Sequence, residues 1–237
     1  MLRLSGPPGD GLVLLRGDHQ MVGESDLAHL IQEQVRHFES RGQDFEWKTF
    51  AHDQSLEASL LSQGFVPGAP ETVLVARAKA VPLCPLPEGV RVREAHSHAD
   101  FESLAQQQRA AFGGDHRAQA ERSRVAVETD PERVVVLLAE ARGQVVGSAR
   151  VEFVLGTEFA TLWAGSTAPE ARHRGIYSSL VALRAQMARH RGYHLLEVEA
   201  LATSRPILER LGFIAVTRTT PFSYQAAAGR GRPVQST

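Results

Sequence analysis

The sequence predicts an α/β fold of the α+β kind, with strands and helices mixed along one chain. Three observations carry that reading. β-rich runs are bounded by turn residues, the segments between them place apolar residues at helical spacing, and a helix–strand–helix–strand pattern occurs twice. The 237 residues leave room for one large domain or two modest ones. With 43% hydrophobic and 22% charged residues, the chain can bury a core.

Taken in order, Leu27, Ile31, Val35 and Phe38 fall on one helical face, with Ser25 placed to cap it. Residues 41–65 follow as Arg-Gly, strand, polar turn, short leucine-bearing helix and Gly-Phe. Residues 80–90 hold Pro82, Pro85 and Pro87, which remove backbone donors and favour extended geometry, so this segment reads as a linker or strap. Residues 90–95 alternate as a strand. Phe101, Leu104, Ala105 and Phe112 mark a helix stopped by glycines, and residues 117–129 a second one before Pro131. Two β-rich runs around Ala141-Arg142-Gly143-Gln144 predict a hairpin, and residues 159–167 a third strand. A long helix begins near Gly175, with Ile176, Leu180, Leu183 and Met187 as its apolar stripe. A strand at residues 194–200, a short helix ending at Gly212 and two closing strands complete the chain. From residue 90 the order is βαα-βββ-α-β-α-ββ.

Residues 41–65 and 191–213 share one grammar. Each runs Arg-Gly, strand, polar turn, short helix, Gly-Phe, and the Arg-Gly to Gly-Phe intervals differ by two residues. An internal repeat of half a domain is the economical reading. The first copy lacks the basic sequence that precedes the helix of the second. The expected organisation is a half-domain at 1–80, a proline-rich linker at 81–89, a complete domain at 90–225 and a flexible tail at 226–237.

Composition narrows the function. A formal net charge of −1 gives no global reason to expect nucleic acid. No apolar run is long enough for a membrane span and the first residues lack a signal-peptide core, so a soluble, cytoplasmic protein is expected. Cys84 is the only cysteine, which excludes an intrachain disulfide and a CxxC site. His96 and His98 have no third ligand in view, so no metal is expected. Neither a GxSxG motif nor a Cys–His arrangement supports a hydrolase.

The informative stretch is Arg172-His173-Arg174-Gly175-Ile176-Tyr177, at the start of the long helix and just after a strand ending in Gly165-Ser166-Thr167. The first N–H groups of a helix have no intrahelical acceptors, and the helix dipole adds positive character there. Gly175 lets backbone approach a ligand closely, and the flanking cations favour an anion such as a phosphate or pyrophosphate. It is neither a GxxxxGK[ST] loop nor a GxGxxG fingerprint.

Residues 167–177 resemble the acetyl-CoA loop of the GNAT superfamily of N-acetyltransferases, [QR]-x-x-G-x-[GA], and the Ile-Leu-Glu-Arg-Leu-Gly-Phe segment at 207–213 is similar to the family's helix-to-strand ending. The element order over residues 90–224 resembles the family topology. The resemblance implies a mixed, mostly antiparallel central sheet flanked by helices, preceded by a degenerate copy as in two-part members of the superfamily. It implies acetyl-CoA as the acyl donor. Gly165, Ser166 and Thr167 would lie at a splayed strand end that binds the acetyl carbonyl and pantetheine arm. Backbone donors from Arg172, His173, Arg174, Gly175, Ile176 and Tyr177, with Ser178, would hold the pyrophosphate. Tyr177 departs from the family pattern, which has Gly or Ala.

Acyl transfer to an amine needs a neutral amine, a stabilised oxyanion and a protonated leaving thiolate. The family's usual tyrosine acid falls at Leu208 in this chain. Ser204 and Tyr224 are the replacements in reach, Ser204 being equally placed to cap its helix and Tyr224 to serve as a packing aromatic. Glu197 and Glu199 share one face of their strand, and Glu199, nearer its C-terminal end, is the candidate base; solvent exposure or pairing with arginines is the alternative for both. Glu152 is a further acidic candidate. The expected function is an acetyl-CoA-dependent N-acetyltransferase acting on a small-molecule or peptide amine by direct attack in a ternary complex. The alternative is a non-catalytic acyl-CoA-binding sensor or interaction module. A third reading gives the N-terminal half a homodimer interface.

Overall fold

A computed structural model describes residues 1–4, 11–15 and 23–226. The last residues of the expected tail, 227–237, lie outside the described residues. The chain divides into two compact units, Met1–Thr72 with the chain from Thr217 onward, and Val73–Val216.

The first unit contains β1 (Leu2–Leu4), β2 (Gly11–Leu14), α1 (Glu24–Glu39), β3 (Phe45–Phe50), α2 (Gln54–Ser62) and β4 (Val66–Pro67). β1 and β2 are antiparallel, whereas β2 and β3 are parallel and joined across α1. Leu27, Ile31 and Phe38 of α1 pack with Phe45, Trp47, Leu56, Leu60 and Phe65. Phe38 and Phe45 stack with ring centroids 4.2 Å apart. Gly11 is required by that packing, since a Cβ there would stand 2.4 Å from the Phe45 Cβ. The cap of α1 is Gly23, so Ser25 lies inside the helix and not at its cap.

The second unit contains most of β5 (Glu71–Arg77), then β6 (Val90–Glu94), α3 (His98–Phe112), α4 (Arg117–Thr129), β7 (Val134–Ala141), β8 (Gln144–Phe153), β9 (Phe159–Thr167), α5 (Ile176–His190), β10 (Leu195–Ala200) and α6 (Arg205–Arg210). Its strands lie in the order β5-β10-β9-β8-β7-β6. β6, β7, β8 and β9 pair antiparallel, and β9 with β10 is parallel. The β7–β8 hairpin turns at Arg142 and Gly143, both left-handed (φ 51° and 77°), the backbone a tight two-residue hairpin requires. Ser97 and Asp100 form a reciprocal capping box at the start of α3. Burial pushes the Asp100 carboxyl up, but Arg93 at 2.6 Å and the N–H groups of His96 and Ser97 outweigh it and hold it well below the usual range.

Two cores enclose the sheet of this unit. One joins Ala95, Phe101, Leu104, Ala120 and Val127 to Val134, Val136 and Leu138. The other joins Ile176, Leu180, Val181, Ala185 and Ala188 of α5 to Val135, Leu137, Val151, Leu162, Leu196 and Leu208. Leu183 and Met187, expected at the centre of the α5 stripe, are only partly buried at its margin. The fully covered line is Ile176, Leu180, Arg184 and Ala188.

The boundaries differ from those expected. The proline segment is not a linker between halves. Val81 is in the core of the second unit, Cys84 and Leu86 pack against it, and the Pro85 carbonyl accepts from Ser179 Oγ of α5 at 2.9 Å. Residues 73–80 also belong to that unit, where β5 neighbours β10 and the Ala78 N–H donates to the His194 carbonyl at 2.9 Å. The two closing strands are one strand, β11 (Ile214–Tyr224), whose residues from Thr219 pair antiparallel with β3 in the first unit. Pro221 sits inside it without breaking the pairing, and its carbonyl accepts from the Gly68 N–H.

Candidate active site

The site begins where two parallel strands part. β9 and β10 pair only over Phe159–Thr161 and Leu195–Glu197, although β9 continues to Thr167 and β10 to Ala200. Beyond Thr161 and Glu197 the two strands run on without pairing to each other, so their facing backbone groups are not used in a shared ladder.

On its other edge β9 carries a bulge. Ser148 pairs with Ser166 and Arg150 with Trp163, so Ala164 and Gly165 together oppose Ala149. Ala164 takes up the extra residue with a left-handed backbone, φ 49°. Only glycine fits next to it, because a Cβ at Gly165 would lie 2.9 Å from Cε2 of Tyr177. α3 braces the end of the bulge through a buried network. Gln107 Oε1 accepts from Ser148 Oγ at 2.7 Å and from Ser166 Oγ at 2.8 Å. The buried Thr167 hydroxyl has no hydrogen-bond partner among the described residues.

The basic loop follows directly. A 3-10 turn at Pro169–Ala171 leads to Arg172, whose Nε donates to the Thr167 carbonyl at 3.3 Å and Nη2 to the Ala111 carbonyl at 3.0 Å. His173 is left-handed (φ 61°), as is Gly175 (φ 87°), which caps α5. Among the described residues no acceptor is found for the N–H groups of His173 through Ser178, while the next, Ser179, donates to the Gly175 carbonyl at 3.0 Å. A run of such donors at a helix start, between exposed arginines, is an anion-binding surface. Ile176 contributes backbone only, its side chain being buried in the core.

Tyr177 turns back beneath the bulge. Burial raises its phenol pKa, with the Arg184 charge and the Ser204 hydroxyl pulling the other way. Ser204 occupies the cap position of α6, yet its hydroxyl caps no N–H and donates to the Leu201 carbonyl at 3.2 Å. Leu208 is fully buried in the core. On β10, Leu196, Val198 and Ala200 are buried while Glu197 and Glu199 alternate on the other face, Glu199 lying past the last paired residue. Across the sheet Glu197 aligns with Thr161, which aligns with Glu152, and Glu152 forms an ion pair with Arg150 at 3.1 Å. This face of the sheet therefore carries both signs of charge.

The second unit holds Gly165, Ser166, Thr167, the loop from Arg172 to Ser178, Glu199 and Ser204; Arg172 reaches the Thr167 carbonyl, and Tyr177 lies against Gly165 and interacts with Ser204. Tyr224 belongs to the first unit, where it packs with Phe45 and Phe65 and donates to Glu39 Oε1 at 2.9 Å. It is a packing aromatic there. Gln107 and Arg184 were missed by sequence reasoning, and only the four-residue step from Ile176 through Arg184 to Ala188 could have drawn notice to the second. An acyl-CoA suits the donor set, with backbone N–H groups and cations for a pyrophosphate and a parted strand pair for an extended amide-bearing arm.

Residues 98–213 match the model of the acetyltransferase (GNAT) family. The chain carries a GNAT-family acetyltransferase domain. Solved GNAT structures share the fold across nearly the whole chain. A GCN5-related N-acetyltransferase from Sphaerobacter thermophilus superposes with a TM-score of 0.71 at 16% identity, covering 94% of this chain and 75% of that one. One from Kribbella flavida gives 0.67 at 13% identity, covering 90% and 80%. A tandem GNAT protein from the clavulanic acid biosynthesis pathway gives 0.65 at 15% identity, covering 94% and 77%. The comparison with curated proteins returns no match. In this GNAT domain, no helix among the described residues is long and apolar enough to cross a membrane.

Proposed function

We propose that the protein is an N-acetyltransferase that moves an acetyl group from acetyl-CoA to an amine acceptor by direct attack. The observation that carries this is the parting of β9 from β10 beside a helix start with an unbroken row of available N–H donors. Acetyl-CoA supplies an activated thioester. Backbone N–H groups from His173 to Ser178, with Arg172 and Arg174, hold its pyrophosphate, and the β9 bulge orients its acyl end. The Glu199 carboxylate takes the proton that the acceptor amine releases, directly or through water. Ser204 and Tyr177 present hydroxyls on the leaving-group side in place of the absent tyrosine at Leu208. The mixed charge on the face bearing Glu199 and Arg150 suits a small-molecule or peptide amine.

The first unit fits a degenerate GNAT half. It repeats the antiparallel-then-parallel pairing of β8, β9 and β10 in its own β1, β2 and β3. A second reading, an acyl-CoA sensor without turnover, is favoured by the buried Leu208. One experiment separates the two. Purified protein is mixed with acetyl-CoA and a broad amine panel, while calorimetry follows binding and a thiol reagent follows release. Binding with thiol release supports the transferase. Binding without release for any amine supports the sensor, and no binding removes both.

A further inference from the structure

Arg184 is a cation where the fold calls for a hydrocarbon. It takes the third place in the buried line Ile176, Leu180, Arg184, Ala188 and is 2% exposed. Its Nε donates to the Leu180 carbonyl at 3.0 Å, and its Nη1 to the carbonyls of Arg150 at 3.2 Å and Trp163 at 3.5 Å. Those two residues are the last aligned pair before the β9 bulge. Nη2 has no hydrogen-bond partner among the described residues and faces the bulge itself, 3.4 Å from where a Gly165 Cβ would stand. No carboxylate among the described residues pairs with the guanidinium. The Tyr177 phenol interacts with its charge and lies against the same glycine.

A buried, unpaired charge is costly, and a well-packed apolar side chain would stabilise this place in the core. Burial pulls the guanidinium pKa down to about 10, opposed by Tyr177, so the positive charge persists at neutral pH. The reading above places the acyl carbonyl at the bulge. Negative charge grows on that oxygen during transfer, and a fixed cation in a low-dielectric interior interacts with it far more strongly than one in water.

Resting on that acyl-transfer reading, we propose that Arg184 is a positioning residue that pins the carbonyls of the last pair before the bulge and sets a fixed positive charge behind the acyl carbonyl. It acts through the backbone of β8 and β9, from the α5 side of the sheet. The tyrosine in place of the family's Gly or Ala belongs to the same device, since its ring fills the space beside Gly165 and limits water around the guanidinium.

The test uses S-acetonyl-CoA, a ketone analogue that cannot be cleaved, carrying 13C at its carbonyl. Its infrared carbonyl stretch is measured free and bound to the wild-type protein, to Arg184→Lys, which keeps the charge, and to Arg184→Gln, which keeps a donor but not the charge. Calorimetry and thermal melting run alongside. The expected result is a downshifted stretch in the wild type, most of it kept in Arg184→Lys and more than half of it lost in Arg184→Gln. Affinity for the analogue should stay within about threefold, and thiol release from acetyl-CoA should fall about 100-fold in Arg184→Gln. A wild-type stretch in both variants overturns the role of Arg184 and leaves the acyl-transfer reading standing. Failure of the wild type to bind the analogue overturns that reading, and the role of Arg184 with it.

Discussion

α1 and α5 are the crossover helices of two units built alike, and they begin in opposite chemistry. Each links two parallel strands and is followed by a second strand and a short helix. α5 opens on left-handed Gly175 beside Arg172, His173 and Arg174, whereas α1 opens on Gly23 in an extended conformation followed by Glu24, Ser25 and Asp26. The strands differ as well. β2 is paired with β3 along its full length, while β9 leaves β10 after three residues and runs on for six more. Where β10 carries Glu199, the place at the same distance from the Arg-Gly turn in β3 is Thr49, a buried residue whose hydroxyl donates to Glu57 at 2.9 Å. An apolar pattern with a crossover helix is sufficient for the fold. A site needs the parted strands, the bulge and the donor-bearing loop together.

The largest effect expected from breaking this contrast is at Glu199. Glu199→Gln removes the candidate base with little change in size, and thiol release in the presence of an acceptor should fall about 100-fold at neutral pH. Affinity for acetyl-CoA should stay within twofold by calorimetry. Raising the pH should recover part of the loss, because more of the acceptor amine is then neutral. Unchanged release would move proton removal to water or to another carboxylate.

Next in size is Gly175. Nothing lies within 4 Å of a Cβ placed there, so Gly175→Ala acts only through its backbone, held at φ 87°. A left-handed alanine costs roughly 1 kcal/mol or more. The row of N–H donors should loosen and acetyl-CoA affinity fall about fivefold to tenfold, read by titration, with little change in turnover at saturation. The paired change Arg172→Gln with Arg174→Gln comes third. Both side chains are exposed, so the loss should be about threefold at low salt and should shrink as salt is added. A loss indifferent to salt would assign the arginines to bracing the loop through the Thr167, Ala111 and Glu88 carbonyls.

What could be read from sequence here is what is local. The Arg-Gly hairpin turn at 142–143, the glycine at the start of α5 and the alternation that puts Glu199 opposite Val198 depend on neighbours within a few residues. The bulge at Ala164-Gly165 depends on register with β8, which no stretch of β9 encodes by itself. Arg184 escaped because a charged residue is ordinarily assigned to the solvent face, and its partners Arg150 and Trp163 are distant in sequence. The unit boundary escaped for a related reason. Prolines mark where a chain cannot enter a ladder, but β5 and the end of β11 are assigned by long-range pairing, so Pro82, Pro85 and Pro87 mark a strap laid on the second unit and not the place where the units divide.

The smallest expected effect tests the comparison most directly. Asp26 is exposed in the first turn of α1, where its negative charge already complements the helix dipole and would repel a phosphate. Asp26→Asn should therefore lower stability by only about 0.3–1 kcal/mol, seen as a small drop in melting temperature. Acetyl-CoA affinity should change by less than twofold, because the row of N–H donors at His173–Ser178 lies within the second unit. A tenfold change in affinity would mean that the two helix starts do not have separate duties. The contrast between the acidic start of α1 and the basic start of α5 would then not separate a helix start that serves the fold from one that binds the donor.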